Sequence, residues 1–290
     1  MGQSSSKISV PQLREAPSRG ERLVMVTAYD YPQARSADQA GVDMVLVGDS
    51  LAMVVLGHDD TLSVTVDEML HHVKAVRRGL TRALLIADMP YGSFHLGVDQ
   101  AVANAVRFVK EGGASAVKIE GARIDVIEAL VAAEIPVQAH LGLTPQSVHK
   151  FGGFKVQGRG AEARAALLEA AVAVEAAGAF SLVLECIPTE LAREVTERLE
   201  IPTIGIGAGP HCDGQVLVYH DLLGIEERIA PRFVRRYAQQ GKEAREAIAA
   251  YAADVRAGTF PGPNESFEDP GFPSTVAGST QPALERLYGG

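Results

Sequence analysis

Asp49, Asp88, Lys118, Glu120, His140 and Glu185, with the hydroxyl of Ser50, are the side chains whose types and spacing could support chemistry together. The clearest spacing is that of Lys118 and Glu120, in the apolar run Ala116-Val117-Lys118-Ile119-Glu120-Gly121. Successive side chains on a strand alternate faces, so this ammonium and this carboxylate point the same way. Taken alone, such a pair also reads as a structural ion pair. The other residues recur at equivalent places. Met44–Gly48 runs into Asp49 and Ser50, Ala83–Ala87 into Asp88, Pro136–Ala139 into His140, and Ser181–Leu184 into Glu185.

Asp49, Asp88 and Glu120 are carboxylates with no thiolate or clustered imidazole beside them, and oxygen-only ligation suits a hard cation such as Mg²⁺. Without a cation, converging carboxylates would repel and raise one another's pKa. The competing reading caps helices with them or pairs them with arginines in separate places. A magnesium ion held there could chelate a 2-oxo acid, polarise its ketone and stabilise the enolate left when an adjacent proton departs. Glu185, closing an apolar run, is the expected base, since partial burial would raise its pKa toward the useful range. Lys118 can neutralise the substrate carboxylate or developing enolate, and Ser50 can donate a hydrogen bond. His140 could orient substrate or water, or could equally be a satisfied core histidine.

The elements that must position these groups are eight apolar runs between about Leu23 and Gly224, most of them separated by helical patterns such as 65–78, 98–111 and 161–177. Runs apolar on both faces belong to parallel strands covered by helices, and polar residues at their carboxyl ends are where such sheets keep their chemistry. Gly41, Gly112-Gly113 and Gly178 fall just past helical segments, as helix-ending glycines do. Eight alternations predict a single (β/α)₈ TIM barrel, with an open doubly wound sheet as the structural rival. The predicted organisation is a flexible N-terminal leader over 1–20, a catalytic barrel with closing helices over 21–264, and a C-terminal tail over 265–290. The region 231–256 reads as the closing helical segment.

A net charge of −9 without any Lys/Arg-rich block argues against nucleic acid as a partner. Cys186 and Cys212 make neither a disulfide framework nor a paired-cysteine metal motif, which fits a reducing compartment. No apolar run approaches bilayer length and the start lacks a secretory core, so the expectation is a soluble, cytoplasmic protein with no membrane partner. Met1-Gly2-Gln3-Ser4-Ser5-Ser6 matches a loose acyl-acceptor pattern but lacks a polybasic second anchor, and reads as a polar leader. His71-His72 and His211-Cys212-Asp213 are not expected to bind metal. The glycine-rich stretch Ile204–Gly209 is read as tight backbone packing rather than a phosphate cradle.

Over about Thr27–Ser266 the sequence resembles the ketopantoate hydroxymethyltransferase family. The resemblance rests on Thr27-Ala-Tyr-Asp30, Leu46-Val-Gly-Asp-Ser50, Val117-Lys-Ile-Glu-Gly121, His140-Leu-Gly-Leu-Thr-Pro-Gln-Ser147, Gly152–Gly160, Leu182-Val-Leu-Glu-Cys186 and Ile204–Gly209. It implies a barrel similar to the phosphoenolpyruvate/pyruvate superfamily and hydroxymethyl transfer from 5,10-methylenetetrahydrofolate to 3-methyl-2-oxobutanoate, giving 2-dehydropantoate for pantothenate and coenzyme A synthesis. It further implies that Asp49 and Asp88 hold Mg²⁺, with Glu120 a ligand directly or through water. Ser50, Asp88 and Lys118 would contact the oxo acid, with Glu185 the proton acceptor. The same resemblance implies a homodecamer of two stacked pentamers. It identifies no folate-site residues. The rival functions are a Mg²⁺-dependent carbon–carbon lyase or phosphomutase acting on a 2-oxo acid, and a catalytically silent barrel.

Overall fold

The computed structural model describes residues 6–228 and 231–267. Residues 1–5 of the acyl-acceptor pattern, which runs from Met1 to Ser6, and the tail beyond 267 lie outside the described residues. In chain order the elements are α1 (Val10–Glu15), β1 (Leu23–Thr27), α2 (Tyr31–Gln39), β2 (Met44–Val47), α3 (Leu51–Val54), α4 (Val66–Gly79), β3 (Leu84–Asp88), α5 (Val98–Lys110) and β4 (Ala116–Glu120). They continue with α6 (Ile124–Ala132), β5 (Val137–Gly142), α7 (Val148–Phe151), α8 (Ala161–Ala176), β6 (Ser181–Glu185), α9 (Thr189–Arg198), β7 (Thr203–Ile206), β8 (Gly214–Leu217), α10 (Tyr219–Leu222) and α11 (Gln240–Ala257). Every strand pairs in parallel with its sequence neighbour, and β8 pairs with β1 through Leu23↔Gly214 to Val26↔Leu217. The sheet is therefore the closed eight-stranded barrel that the eight alternations predict, not the open doubly wound sheet.

Strand parity sorts the side chains into two layers. Met25, Met44, Leu46, Leu84, Ile86, Ala116, Val183, Ile204 and Val216 form one buried cluster, and Val45, Val47, Leu85, Val117, Ile119, Ala139, Leu182 and Leu184 belong to the other, which includes buried faces of the helices. Branched aliphatics suit a strand with both faces buried, which is why these runs lack the polar alternation of a half-exposed sheet. The first set fills the barrel, as in other (β/α)₈ folds. Continuing its parity toward the carboxyl ends brings Asp88, Lys118, Glu120, His140 and Glu185 to the same face.

Local signals fix the helix starts. Thr65 and Glu68 cap α4 reciprocally, with the Glu68 amide donating to Thr65 Oγ1 at 3.2 Å and the Thr65 amide to Glu68 Oε2 at 2.8 Å. Asp30 Oδ1 accepts from the Gln33 amide at 2.8 Å at the start of α2. Asp38, near the end of α2, accepts from the amides of Thr81, Arg82 and Ala83 at 2.7–3.0 Å and so pins the loop entering β3. Burial alone would push this carboxyl up, but those donors hold it below the ordinary aspartate range.

Two boundaries differ from the sequence reading. The leader is not featureless, because Leu13 of α1 and Ala16, which ends that helix, pack into the interior cluster and the Ile8 amide donates to Arg82 O at 2.8 Å. The apolar spacing Leu13–Ala16 and the bonds of Ser9 N and Oγ to Gln12 Oε1, both 2.9 Å, stabilise this single short helix. The barrel also ends earlier than residue 264: one compact unit runs through Ala238, and a second begins at Gln239. Within the second, α11 ends at Gly258 with φ of 70°, and Tyr251 meets Phe260 edge-on with centroids 5.2 Å apart. Residues 231–238 are not helical, so the predicted closing helix starts nine residues later than its Pro231 boundary, at Gln240.

Candidate active site

A cavity of about 510 Å³ opens at the carboxyl ends of the strands, and Asp49, Ser50, Asp88, Lys118, Glu120, His140 and Glu185 all line it. The structure thus brings every sequence-predicted site residue to one place. β3 ends in Asp88, β4 carries Lys118 and Glu120, β5 carries His140, and β6 ends in Glu185. Asp49 and Ser50 follow β2 at the entrance to α3.

The centre of the site is a buried ion cluster. Lys118 Nζ donates to both oxygens of Asp88 at 2.7 Å and lies 3.7 Å from Glu120 Oε1. His140 spans Glu120 and Glu185, with Nδ1 3.5 Å from Glu120 Oε1 and Nε2 3.3 Å from Glu185 Oε2. These are ion-pair contacts without hydrogen-bond geometry. Asp88, Lys118, Glu120 and His140 are at most 4 % exposed, whereas the Glu185 side chain retains 16 % exposure. Glu185 is therefore the acidic group of this cluster most open to the cavity.

Burial opposes the charge on Lys118, but Asp88, Glu120 and Asp49 together hold its ammonium above the ordinary lysine range. Burial and Lys118 likewise oppose protonation of His140, yet Glu120 and Glu185 push it up to about 9. Burial would raise the Glu120 carboxyl, but His140, Lys118 and the Gln146 backbone amide together hold it below its usual value. Asp49 is the exception. Its carboxyl is pushed well up, first by burial and then by Asp88 and Glu120, while Lys118 and the Gln146 amide offset this only in part. Asp88 is also raised by burial, against the pull of Lys118.

Two cations face four carboxylates in this cluster, and Asp49 is the one without an ion-pair contact to either cation; its side chain accepts from the neutral Gln146 Nε2. That imbalance suits a divalent cation. Among the described residues, no three His, Cys, Asp or Glu side chains are arranged to hold a metal directly. The carboxylates present fit a hard divalent cation bound by one or two of them and completed by water and substrate oxygens. Glu120, expected as a ligand directly or through water, accepts from the Gln146 backbone amide and faces Lys118 and His140.

Sequence reasoning missed two supporting residues. Tyr29, fully buried, places its hydroxyl 2.9 Å from Ser50 Oγ, and its carbonyl lies 2.6 Å from His72 Nδ1. Gln146 is the second, and its only sequence signal is its place after a proline in the His140–Ser147 motif. The cysteines take no part in the ion cluster; burial pushes the Cys186 thiol up to about 11. In the glycine-rich stretch, a Cβ at Gly207 would lie 2.8 Å from Phe233 and one at Gly209 would lie 2.6 Å from Thr189. Close packing accounts for these glycines.

Gly142 sets the position of the expected base. It pairs with Glu185, its φ is 96°, and a Cβ there would lie 2.2 Å from the Glu185 carbonyl oxygen. Gly142→Ala is expected to destabilise the protein by about 1–3 kcal/mol through strain at this left-handed position. Displacement of Glu185 should lower kcat more than it raises KM. Unchanged melting temperature and steady-state constants would show that the strand end absorbs the methyl group freely.

A closed barrel that gathers acidic and basic strand ends around one cavity has a fold similar to that of proteins in the phosphoenolpyruvate mutase/isocitrate lyase group. 2,3-Dimethylmalate lyase of that group superposes with a TM-score of 0.58 at 19 % identity, covering 89 % of this chain and 88 % of the other. Phosphonopyruvate hydrolase, solved with oxalate and Mg²⁺, gives a TM-score of 0.58 at 16 % identity, with coverages of 89 % and 93 %. These likenesses establish the fold alone. The sequence profile of ketopantoate hydroxymethyltransferase matches residues 7–263. The 3-methyl-2-oxobutanoate hydroxymethyltransferase of Heliobacterium modesticaldum is 54 % identical over 265 residues, covering 91 % of this chain and 96 % of that protein. The protein of the same name from Syntrophomonas wolfei is 52 % identical over 285 residues, covering 98 % and 100 %. The chain belongs to the ketopantoate hydroxymethyltransferase family and is a hydroxymethyltransferase.

Proposed function

We propose that this enzyme transfers a hydroxymethyl group from 5,10-methylenetetrahydrofolate to 3-methyl-2-oxobutanoate, forming 2-dehydropantoate on the route to pantothenate and coenzyme A. The observation that carries this reading is the ion cluster with Glu185 at its open edge. Glu185 offers a carboxylate to the cavity, and the imidazolium of His140 at 3.3 Å orients it. The proton on the carbon beside the ketone passes to Glu185. The electron pair left behind forms the enolate, whose carbon attacks the folate-borne methylene group. Water supplies the hydroxyl in the net reaction and tetrahydrofolate leaves.

Asp49 and Asp88 would hold Mg²⁺, with Glu120 acting through water. When bound, the ion would supply polarisation of the ketone and stabilisation of negative charge as the proton leaves. Lys118, fixed by both Asp88 oxygens, presents a permanent positive charge toward the oxo-acid oxygens. Ser50, held by Tyr29, donates a hydrogen bond to the substrate, and His140 keeps Glu185 in place. The cavity has more room than a small 2-oxo acid fills, which suits a second, larger substrate. The reading extends to a homo-oligomer of two stacked pentamers working in the cytoplasm.

Product formation tests the proposal. Dehydropantoate should appear only when oxo acid, Mg²⁺ and methylenetetrahydrofolate are all present. Its appearance without the folate, at the same rate, would remove the cosubstrate from the account.

A further inference from the structure

Gln146 lies in a one-turn 3₁₀ helix, Pro145–Ser147, immediately beyond β5. Thr144 is extended, as a residue before proline prefers, and Pro145 sets the turn closed by the Ser147 amide on Thr144 O at 2.8 Å. This drives Gln146 into the site, where it is 6 % exposed. Its Nε2 donates to Asp49 Oδ2 at 2.9 Å and to Met89 O at 3.0 Å, while its backbone amide donates to Glu120 Oε2 at 3.0 Å. One neutral residue therefore ties together groups that follow β2 and β3 and a carboxylate on β4. Both neighbours of Nε2 are acceptors, which fixes the orientation of the carboxamide. Its Oε1 is then buried with no donor to satisfy it.

We propose that Gln146 is a positioning residue of the cation site: its Nε2 holds the Asp49 carboxylate in its ligating orientation, and its Oε1 accepts a hydrogen bond from a water of the cation's hydration shell. A buried amide oxygen left unpaired is costly, and bound Mg²⁺ usually keeps several waters able to donate. The inference rests on the Mg²⁺ reading given above. Outer-shell partners of this kind change metal affinity by about 10–100-fold when removed.

The test uses the full-length, EDTA-treated chain and Mg²⁺ alone as the probe. Gln146→Met, similar in length but without donor or acceptor, is titrated calorimetrically beside the parent. The backbone bond to Glu120 survives this change, so the variant removes the side-chain functions alone, and an Asp49→Asn background separates the contact to Asp49 from that to Met89. Mg²⁺ affinity should fall at least tenfold while the melting temperature in EDTA stays within a few degrees of the parent. In an Asp49→Asn background the same substitution should bring a much smaller further loss, because its main target is gone. Native affinity in folded Gln146→Met would overturn the proposal. So would an equal fractional loss in both backgrounds. Gln146→Asn, which keeps the amide but falls short of Asp49, replaces Gln146→Met if the latter does not fold. Failure of both to fold would assign the residue to folding instead. A parent chain that binds no Mg²⁺ would defeat the underlying cation reading, an outcome distinct from a Gln146 variant that matches a binding-competent parent.

Discussion

Glu185→Gln is expected to bind Mg²⁺ and 3-methyl-2-oxobutanoate much as the parent does, and to lose about 10²–10⁴-fold in exchange of the substrate proton with solvent. The substitution is isosteric and leaves a carbonyl oxygen facing His140 Nε2, now 3.3 Å from the carboxylate. Among the described residues the Glu185 side chain is ion-paired with His140 rather than with Lys118, and Asp49 and Asp88 have other partners, so binding should survive the loss of the base. In kinetic terms the loss should fall in kcat, because a base acts in the transition state and contributes little to ground-state binding. The measurement is deuterium uptake beside the ketone, followed by NMR at saturating Mg²⁺ and oxo acid. Near-parental exchange in this variant would remove Glu185 as the base.

Lys118→Met should have the largest effect on stability. The ammonium is 4 % exposed and bonded to both Asp88 oxygens, and it faces Glu120 as well. Removing one member of a buried pair leaves the others uncompensated, at about 3–5 kcal/mol. The loss depends on pH in a definite direction. Without Lys118, the Asp88 and Asp49 carboxyls, already raised by burial, rise further in the folded state. Groups raised in this way favour folding while they hold their protons and cease to do so as pH climbs through the folded value. Urea unfolding in EDTA should therefore show a smaller difference from the parent near pH 5 than near pH 8. Mg²⁺ should recover part of the deficit by replacing the lost positive charge. An equal deficit at both pH values, unmoved by Mg²⁺, would mean that lost packing rather than charge carries the effect.

Much of this site was legible in the sequence because strand parity is strict. Lys118 and Glu120 share a face by their spacing, and the same parity carries Asp88, His140 and Glu185 to the barrel interior once each is placed near a strand end. Closure of the sheet was less direct: strand ends serve open and closed sheets alike, and the count of eight decided between them. The residues that escaped notice are those whose role depends on a turn rather than a period. Gln146 reaches Asp49 only because a proline-initiated 3₁₀ turn folds back over the strand ends, and a neutral amide has no titratable signature to mark it. Tyr29 acts through Ser50, a contact between residues after two different strands. The carboxyl boundary was misplaced because 231–256 carries helical residues throughout, although Pro231–Ala238 forms no helix. Leu13 and Ala16 were hidden because a single apolar turn resembles polar leader until it finds the barrel core.

The proposed function joins metal-dependent proton abstraction and folate-dependent carbon transfer in one site. It is tested most directly by an NMR time course in D₂O with 3-methyl-2-oxobutanoate, Mg²⁺, formaldehyde and tetrahydrofolate, omitting metal and folate in turn. Deuterium is expected to enter beside the ketone whenever Mg²⁺ is present, and dehydropantoate to form only when Mg²⁺ and folate are both present. Metal-dependent exchange that never yields dehydropantoate would contradict the transferase assignment and favour lyase chemistry at the same carboxylates, while neither signal from folded, Mg²⁺-saturated protein would contradict the catalytic reading of the cluster itself.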